Sequence, residues 1–266
     1  NSMNKVIRAE FGRTINAGLI IAIAGIIFSI CFDSFNDLIA GLRNGQGYVG
    51  YFFSNAAFGG MCTKYMLPVF TALPFSVSLC QERNNKAVSY IVSREGKNRY
   101  IFAKFIVSAI SGGFVAVCGT VLLLLMLAMR FPIAGDEFEG AVVSDYFHEW
   151  SAVYYPQLYI LTLSILAFCR GVIWSSLALC VSLYTSDFMV VLLSPFLGSY
   201  VLVRIFQIIR VPDMVRPDMI LIGQVVIKSS GLTLLIAIAI SLTIVTLIGA
   251  FFVGKMKEGL KSGTIY

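Results

Sequence analysis

Long stretches without a charged residue constrain this chain more than any other feature. Residues 14–32, 105–129 and 229–254 contain no Asp, Glu, Lys or Arg over 19, 25 and 26 residues. A helix rises about 1.5 Å per residue, so each stretch is long enough to cross about 30 Å of hydrocarbon. Only 13% of the chain is charged and 58% is hydrophobic, whereas soluble domains carry roughly 25% charged residues. The composition therefore predicts a membrane protein and excludes a soluble globule.

Three further stretches, 58–80, 157–184 and 188–207, predict spans that each contain a single charged residue. Pro68 and Pro74 inside the first are tolerated where neighbouring helices satisfy the freed carbonyls, and Ser194-Pro195 inside the third predicts a kink. We therefore expect one all-α, polytopic transmembrane domain covering residues 3–266, with Asn1 and Ser2 as leader residues left by cloning. The six predicted spans are 14–32, 58–80, 105–129, 157–184, 188–207 and 231–254.

Basic residues are unevenly distributed between the two sides that six spans define. The termini and the loop between spans two and three hold twelve Lys and Arg, against five on the other side. The positive-inside rule places the richer side in the cytoplasm. We therefore expect a multi-pass protein of the bacterial plasma membrane, surrounded by lipid, with both termini cytoplasmic. The net charge of +6 follows from this distribution, and no nucleic-acid partner is expected.

Two segments outside the spans predict short helices at the membrane surface. In residues 3–14 and the start of span one, Ile7, Phe11 and Ile15 recur every four residues, which is typical of an interfacial helix. An ordinary basic flank explains the same segment equally well. Residues 219–227 are apolar but too few to span, so they predict a short re-entrant or interfacial helix.

Several kinds of chemistry have no residues to support them. The six predicted spans contain no Asp or Glu, which argues against a proton-driven carrier and an intramembrane protease. His148 is the only histidine, so no histidine-based metal site is expected. The phosphate-binding loop G-x-x-x-x-G-K-[ST] is absent. The chain is therefore not expected to be an enzyme, and it has no predicted catalytic, cofactor or metal residues.

Small residues inside the spans are interpreted as packing positions. The six cysteines form no C-x-x-C pair and mostly lie in apolar stretches, so we expect them to be small buried side chains. Ser111-Gly112-Gly113 lies within span three, where it predicts a close approach of another helix.

The loop between spans two and three, residues 82–104, is the most informative polar segment. Apolar residues at Val88, Ile91 and Val92 predict a short amphipathic helix from about Asn84 to Arg94. On spacing alone, a loop that does no more than set the orientation of the chain is the favoured interpretation.

This loop resembles the first cytoplasmic loop of type-2 ABC exporter permeases. That family has a Glu at the end of span two, a short helix, a Ser-Arg element and a Lys that opens span three. The chain departs from the pattern at Lys86-Ala87, where the family often has Gly-Thr, and at Glu95-Gly96, where it often has Pro. The ATPase-coupling residues implied by the resemblance are Glu82, Arg83, Lys86, Ser93, Arg94, Arg99 and Lys104.

The resemblance implies an assembly and a mechanism. Two six-span subunits pair, here expected as a homodimer, and rest on two copies of a separate ABC ATPase that binds ATP and Mg²⁺. The loop helix sits in a groove of the ATPase and transmits its closure to the spans. Compact members of the family often export peptides, so an amphipathic peptide or a drug-like molecule is the expected substrate.

Arg170 lies near the middle of predicted span four, too deep for its side chain to reach either surface. We expect it to face a wet cavity or a partner subunit, with a structural bond to backbone carbonyls as the alternative to a role in the translocation path. Two other functions remain open. One is a secondary transporter, which usually shows an internal repeat, and the other is a membrane scaffold that transports nothing.

Overall fold

The structure is a computed structural model that describes residues 2–44, 60–132, 155–223, 225 and 227–263. This part of the chain is helical and contains no β-strand. We number its α-helices α1 (Ser2–Thr14), α2 (Ala17–Asp33), α3 (Phe35–Asn44), α4 (Met61–Ala72), α5 (Ser78–Asn84), α6 (Val88–Glu95), α7 (Lys97–Ala128), α8 (Pro156–Val181), α9 (Phe188–Ile208), α10 (Pro217–Ile222) and α11 (Ser230–Ser262).

Four helices of the described residues, α7, α8, α9 and α11, are each long and apolar enough to cross a membrane. Helices α1 and α2 pass the same test together, although the chain bends by 57° between them. At this bend the Asn16 side chain caps α2 by accepting a hydrogen bond from the backbone N–H of Leu19. The described chain thus offers four membrane-crossing helices, or five when the bent pair is one span.

The predicted second span, 58–80, is not one continuous helix. Its described residues, 60–80, include α4, a turn over 73–77 and the start of α5. Proline has no N–H to donate, and its ring disfavours a helical residue before it, so the chain leaves the helix around Pro74. The backbone N–H of Ser76 then bonds the carbonyl of Ala72 at 3.1 Å. Six spans are therefore not confirmed, because this segment is broken.

The other boundaries differ from the predicted ones in ways that backbone chemistry explains. The loop helix begins at Val88 rather than Asn84, because Lys86 has a positive φ of 54° that ends α5. Helix α7 begins at Lys97, two turns before the uncharged stretch that predicted span three. The segment predicted over 219–227 overlaps the end of α10, which is capped by Gly223 with φ 81°. The loop between predicted spans three and four, which the positive-inside rule places outside the cell, falls mostly on residues 133–154, and these lie outside the described residues.

Helices α7 and α8 cross at very short range, as the small residues predicted. A Cβ atom on Gly112 would lie 2.7 Å from the carbonyl oxygen of Gly171 and would collide with Cβ of Ser175. Conversely, a Cβ on Gly171 would meet the Gly112 carbonyl. The prediction that the Ser111–Gly113 segment packs against another helix is confirmed. The cysteines are free, and Cys80, Cys169 and Cys180 are buried.

An apolar core at one end of the bundle joins the loop helix to three long helices. Val88 and Ile91 of α6 are buried there against residues of α7, α8 and α11. We call this cluster the α6 core: Leu79, Val88, Ile91, Tyr100, Ile101, Leu179, Cys180, Leu183, Phe252, Met256 and Leu260.

Candidate functional site

A buried ion-pair network joins α1, α5 and α7 beside the α6 core. Glu82 stands at its centre on α5. Its Oε1 atom lies 2.7 Å from Nζ of Lys104 on α7 and 2.7 Å from Nη1 of Arg13 on α1. Its Oε2 atom accepts a hydrogen bond from the Tyr100 hydroxyl. One carboxylate therefore connects three helices.

A second acid, Glu10, completes the network. Its carboxylate lies 3.4 Å from Nζ of Lys104 and 3.1 Å from Nη1 of Arg13. Lys104 is fully buried, and Glu10 and Glu82 are nearly so. Two carboxylates thus face two cations, which offsets the high cost of removing charges from water. The ammonium group of Lys104 also lies 4.8 Å from the ring centre of Phe75, within range of a cation–π interaction.

Only part of this network follows from the sequence. Glu82 and Lys104 were predicted site residues, whereas Glu10 and Tyr100 were not. One signal was available for Glu10, because it is the only acid in the basic segment 3–14. Tyr100 gave no signal, since a tyrosine near a membrane surface needs no special explanation.

The predicted coupling residues divide into an inward and an outward group. Glu82 and Lys104 belong to the buried network. Arg83 is also turned inward, where its Nη1 atom donates to the carbonyls of Ser182 and Leu183 at the end of α8, at 2.9 and 3.2 Å. The remaining four are exposed: Lys86, Ser93, Arg94 and Arg99.

Helix α6 has one buried and one exposed face. Val88 is completely buried and Ile91 is 7% exposed. Tyr90 is 71% exposed, and Ser93 and Arg94 lie on the exposed side as well. An exposed aromatic residue next to a basic one is typical of protein contact surfaces. The arrangement leaves a polar-aromatic face available while the opposite face is held by the core.

A groove of about 740 Å³ opens beside the network. Its walls come from the α1–α2 bend, the break between α4 and α5, and the start of α6, with Arg13, Gln81, Glu82, Asn85 and Ile91 among its lining residues. The groove therefore reaches the central carboxylate of the network from the surface.

Arg170 lies on α8 and is buried. It lines a separate cavity of about 120 Å³ between α4, α8, α9 and α10, together with Lys64 and Asp218. The expectations that Arg170 faces a wet cavity or a partner subunit, and that it serves a translocation path, stay predictions.

Asp218, at the edge of that cavity, is held by Arg216. The guanidinium nitrogens Nε and Nη2 of Arg216 lie 3.2 and 2.8 Å from the two oxygens of Asp218. Asp213 lies 3.1 Å from Nη1 of the same group. The hydrogen bond to Asp218 is the main reason that the pKa of Arg216 is raised. Both carboxylates therefore already have a cationic partner.

Three buried serines form a second polar cluster that the sequence did not indicate. Ser76, in the break after α4, lies 3.0 Å from the hydroxyls of both Ser108 on α7 and Ser175 on α8. The Ser76 hydroxyl also lies 2.9 Å from the carbonyl oxygen of Ser175. These hydrogen bonds give the Ser76 hydroxyl partners at the point where the chain leaves α4. They also hold the break between α4 and α5 against the crossing of α7 and α8.

No family model, curated protein or solved structure matches this chain. Within the described ranges, no group of three His, Cys, Asp or Glu side chains could hold a metal ion. The all-helical fold with four or five long apolar helices is consistent with a polytopic membrane protein.

Proposed function

We propose that this chain is the membrane-spanning permease subunit of an ATP-driven ABC exporter whose ATPase is a separate protein. The observation that carries the proposal is the position of α6. This helix exposes Tyr90, Ser93 and Arg94 while its other face packs into a core shared with the long helices α7, α8 and α11. A partner that moves α6 would therefore act on the bundle.

The α6 core provides a mechanical connection to the spans. Val88 and Ile91 belong to the same buried cluster as Tyr100 of α7, Leu179 of α8 and Phe252 of α11. Protein interiors are close-packed and have low compressibility, so displacement of one member shifts its neighbours. For ATP binding to drive this displacement, the ATPase must bind one arrangement of the loop better than another.

The buried network fixes the base of the loop. Glu82 precedes α6 and Lys104 follows it, and their 2.7 Å ion pair joins the two ends of the loop inside the protein. We assign Glu82, Arg83 and Lys104 to positioning the loop. Lys86, Ser93, Arg94 and Arg99, together with Tyr90, are assigned to contact with the ATPase.

The rest of the assembly follows from the family resemblance and the charge distribution. The loop lies on the cytoplasmic side of the bacterial plasma membrane, two copies of the chain pair, and two ATPase copies supply the sites for ATP and Mg²⁺. Helix α9 exposes a broad apolar face, including Leu197, Val201 and Ile205, which suits contact with lipid or with a second copy. An amphipathic peptide is the favoured cargo.

Co-purification tests the proposal. The tagged chain is extracted in mild detergent from cells of its source, and ATP hydrolysis is measured in the purified material. The double variant Tyr90→Glu/Arg94→Glu should lose the accompanying ATPase while remaining inserted in the membrane. Arg210→Glu, an exposed arginine after α9, is the control and should retain it. An ATPase equally abundant in both preparations, or absent from the wild type, would contradict the proposal.

A further inference from the structure

We propose that the cavity between α4, α8, α9 and α10 binds an amphiphile with a negatively charged head group. Apolar side chains make most of its wall, and two basic residues, Lys64 on α4 and Arg170 on α8, line it from different helices. A mostly apolar cavity with a few convergent polar groups is the usual form of a small-molecule site. Here those polar groups are two cations, the carboxylate of Asp218 and the hydroxyls of Thr63 and Ser199.

The carboxylates near the cavity are already bonded elsewhere. Asp213 and Asp218 both bond Arg216, which lies behind Asp218. Asp33 accepts hydrogen bonds from the backbone N–H groups of Cys62 and Thr63 at the start of α4, at 3.0 and 2.6 Å. Lys64 therefore lies in a largely apolar setting, where an anion gains more from its charge than it would in water.

Lys64 is the cation most available to a ligand. It is partly buried in the first turn of α4, and its ammonium group makes no hydrogen bond or ion pair with any residue that the structure describes. Asp218 and Arg216 act on it electrostatically with opposite signs. A ligand carboxylate or phosphate at this position would give Lys64 a direct partner.

The walls suit an acyl chain or an apolar side chain. Leu67 of α4, Trp174 and Leu177 of α8, and Leu202 of α9 all line the cavity. Helix α9 also exposes Leu197 and Val201 on the outside of the bundle. An amphiphile could therefore place its charged group near Lys64 and leave its apolar tail against these helices or the surrounding lipid.

This inference concerns a binding site and requires no ATPase. Identifying the bound amphiphile as exported cargo rests on the proposed function, whereas its binding to the isolated chain does not. A chain that binds anionic amphiphiles without recruiting an ATPase would support this site and contradict the exporter. A chain that recruits an ATPase without binding anionic amphiphiles would support the exporter and contradict this site.

Trp174 provides a reporter inside the cavity. The chain has two tryptophans, so Trp150→Phe leaves Trp174 as the only donor for energy transfer to cis-parinaric acid, a fluorescent fatty acid. The full chain is placed in phosphatidylcholine nanodiscs at mildly alkaline pH, where the fatty acid is ionised. The methyl ester of the same probe measures transfer from molecules merely dissolved in the lipid. We expect saturable transfer from the acid, with an apparent Kd below that of the ester.

Lys64→Gln is the decisive variant. Lys64 is partly exposed, so removing its charge should leave α4 intact. We expect the variant to bind the acid about tenfold more weakly, the scale of one charge-assisted contact. Lys228→Gln removes an exposed lysine that does not line the cavity and should leave the Kd unchanged. Equal affinity for acid and ester, or equal loss in both variants, would overturn the proposal.

Nanodiscs that contain phosphatidylglycerol identify the source of the ligand. If the site takes an anionic lipid from the bilayer, this lipid should compete with the probe in the wild type and compete less in Lys64→Gln. If the site is reserved for a free amphiphile, saturable probe binding should persist in both kinds of disc. Both results support an anionic site and assign it to different ligands.

Discussion

At the scale of single residues, the network around Glu82 depends on buried charges that compensate one another. Lys104 is wholly buried, yet its charge is matched by Glu82 at 2.7 Å and by Glu10 at 3.4 Å. The sequence predicted that Glu82 and Lys104 matter, through the family resemblance. It could not show that they meet, because they lie 22 residues apart on different helices and no periodic pattern connects them.

Replacing Glu82 by Gln should destabilise the protein strongly. The change leaves Lys104 with only the more distant Glu10, and breaking a buried ion pair on one side costs about 3 kcal/mol or more. The measurement is the thermal midpoint of the detergent-solubilised protein. Glu258→Gln, which removes an exposed acid that pairs with Lys255 at 2.8 Å, is the control and should change the midpoint little. Equal midpoints for the two variants would contradict the account of the network.

The serine cluster is a second contact that the sequence could not predict. Ser76, Ser108 and Ser175 come from three separate segments, and each lies in an apolar surrounding where a lone serine is unremarkable. Their hydroxyls meet only because the chain breaks after α4 and the α7–α8 crossing is tight. Such a contact depends on the packing of helices, which one-dimensional hydropathy does not contain.

At the scale of elements, uncharged stretches predicted the long helices well and the breaks poorly. Helices α8, α9 and α11 begin within a few residues of their predicted spans. The charged first turns of α7 were missed, because hydropathy marks the lipid-facing part of a helix rather than its hydrogen-bonded length. The break in the second span was missed because prolines are often tolerated in membrane helices, and only the packing around Ser76 shows where this one ends.

The crossing of α7 and α8 should not tolerate even one added methyl group. Gly112→Ala would place a Cβ atom 2.7 Å from the Gly171 carbonyl, a backbone atom that cannot move aside without separating the helices. We expect a lower thermal midpoint and poorer recovery of folded protein. Gly12→Ala in α1 meets no atom within 4 Å and serves as the control. A folded, equally stable Gly112→Ala variant would show that the crossing is looser than described.

Proline in α6 tests whether the helix itself transmits movement. Proline is tolerated in the first turn of a helix but breaks its interior by about 3 kcal/mol or more. Ser89→Pro falls in the first turn of α6, whereas Ser93→Pro falls in its interior, and both serines are exposed. We expect Ser93→Pro to reduce ATP-driven transport in the assembled complex and Ser89→Pro to retain it. Equal transport by both variants would show that the loop does no more than set the orientation of the chain in the membrane.

At the scale of the whole molecule, the orientation in the membrane decides whether α6 can meet a cytoplasmic ATPase. Only the distribution of basic residues supports this orientation, because the packing of the helices does not depend on which end of the bundle faces the cytoplasm.

Cysteine labelling tests the orientation in intact cells. On a background without the six native cysteines, Ser144→Cys in the predicted outer loop should react with a membrane-impermeant thiol reagent. Ser262→Cys at the end of α11 should react only after the cells are opened. The reverse pattern would place α6 outside the cell and remove the proposed contact with an ATPase.

The central claim, that α6 contacts a separate ATPase, is tested most directly by photo-crosslinking. A benzophenone amino acid is placed at Tyr90, on the exposed face of α6, or at Ile110, an exposed apolar position on α7. After irradiation of intact cells, the linked protein is identified by mass spectrometry. The account predicts a single ATP-binding protein linked at position 90 and absent at position 110. No protein adduct at position 90, or the same adducts at both positions, would contradict it.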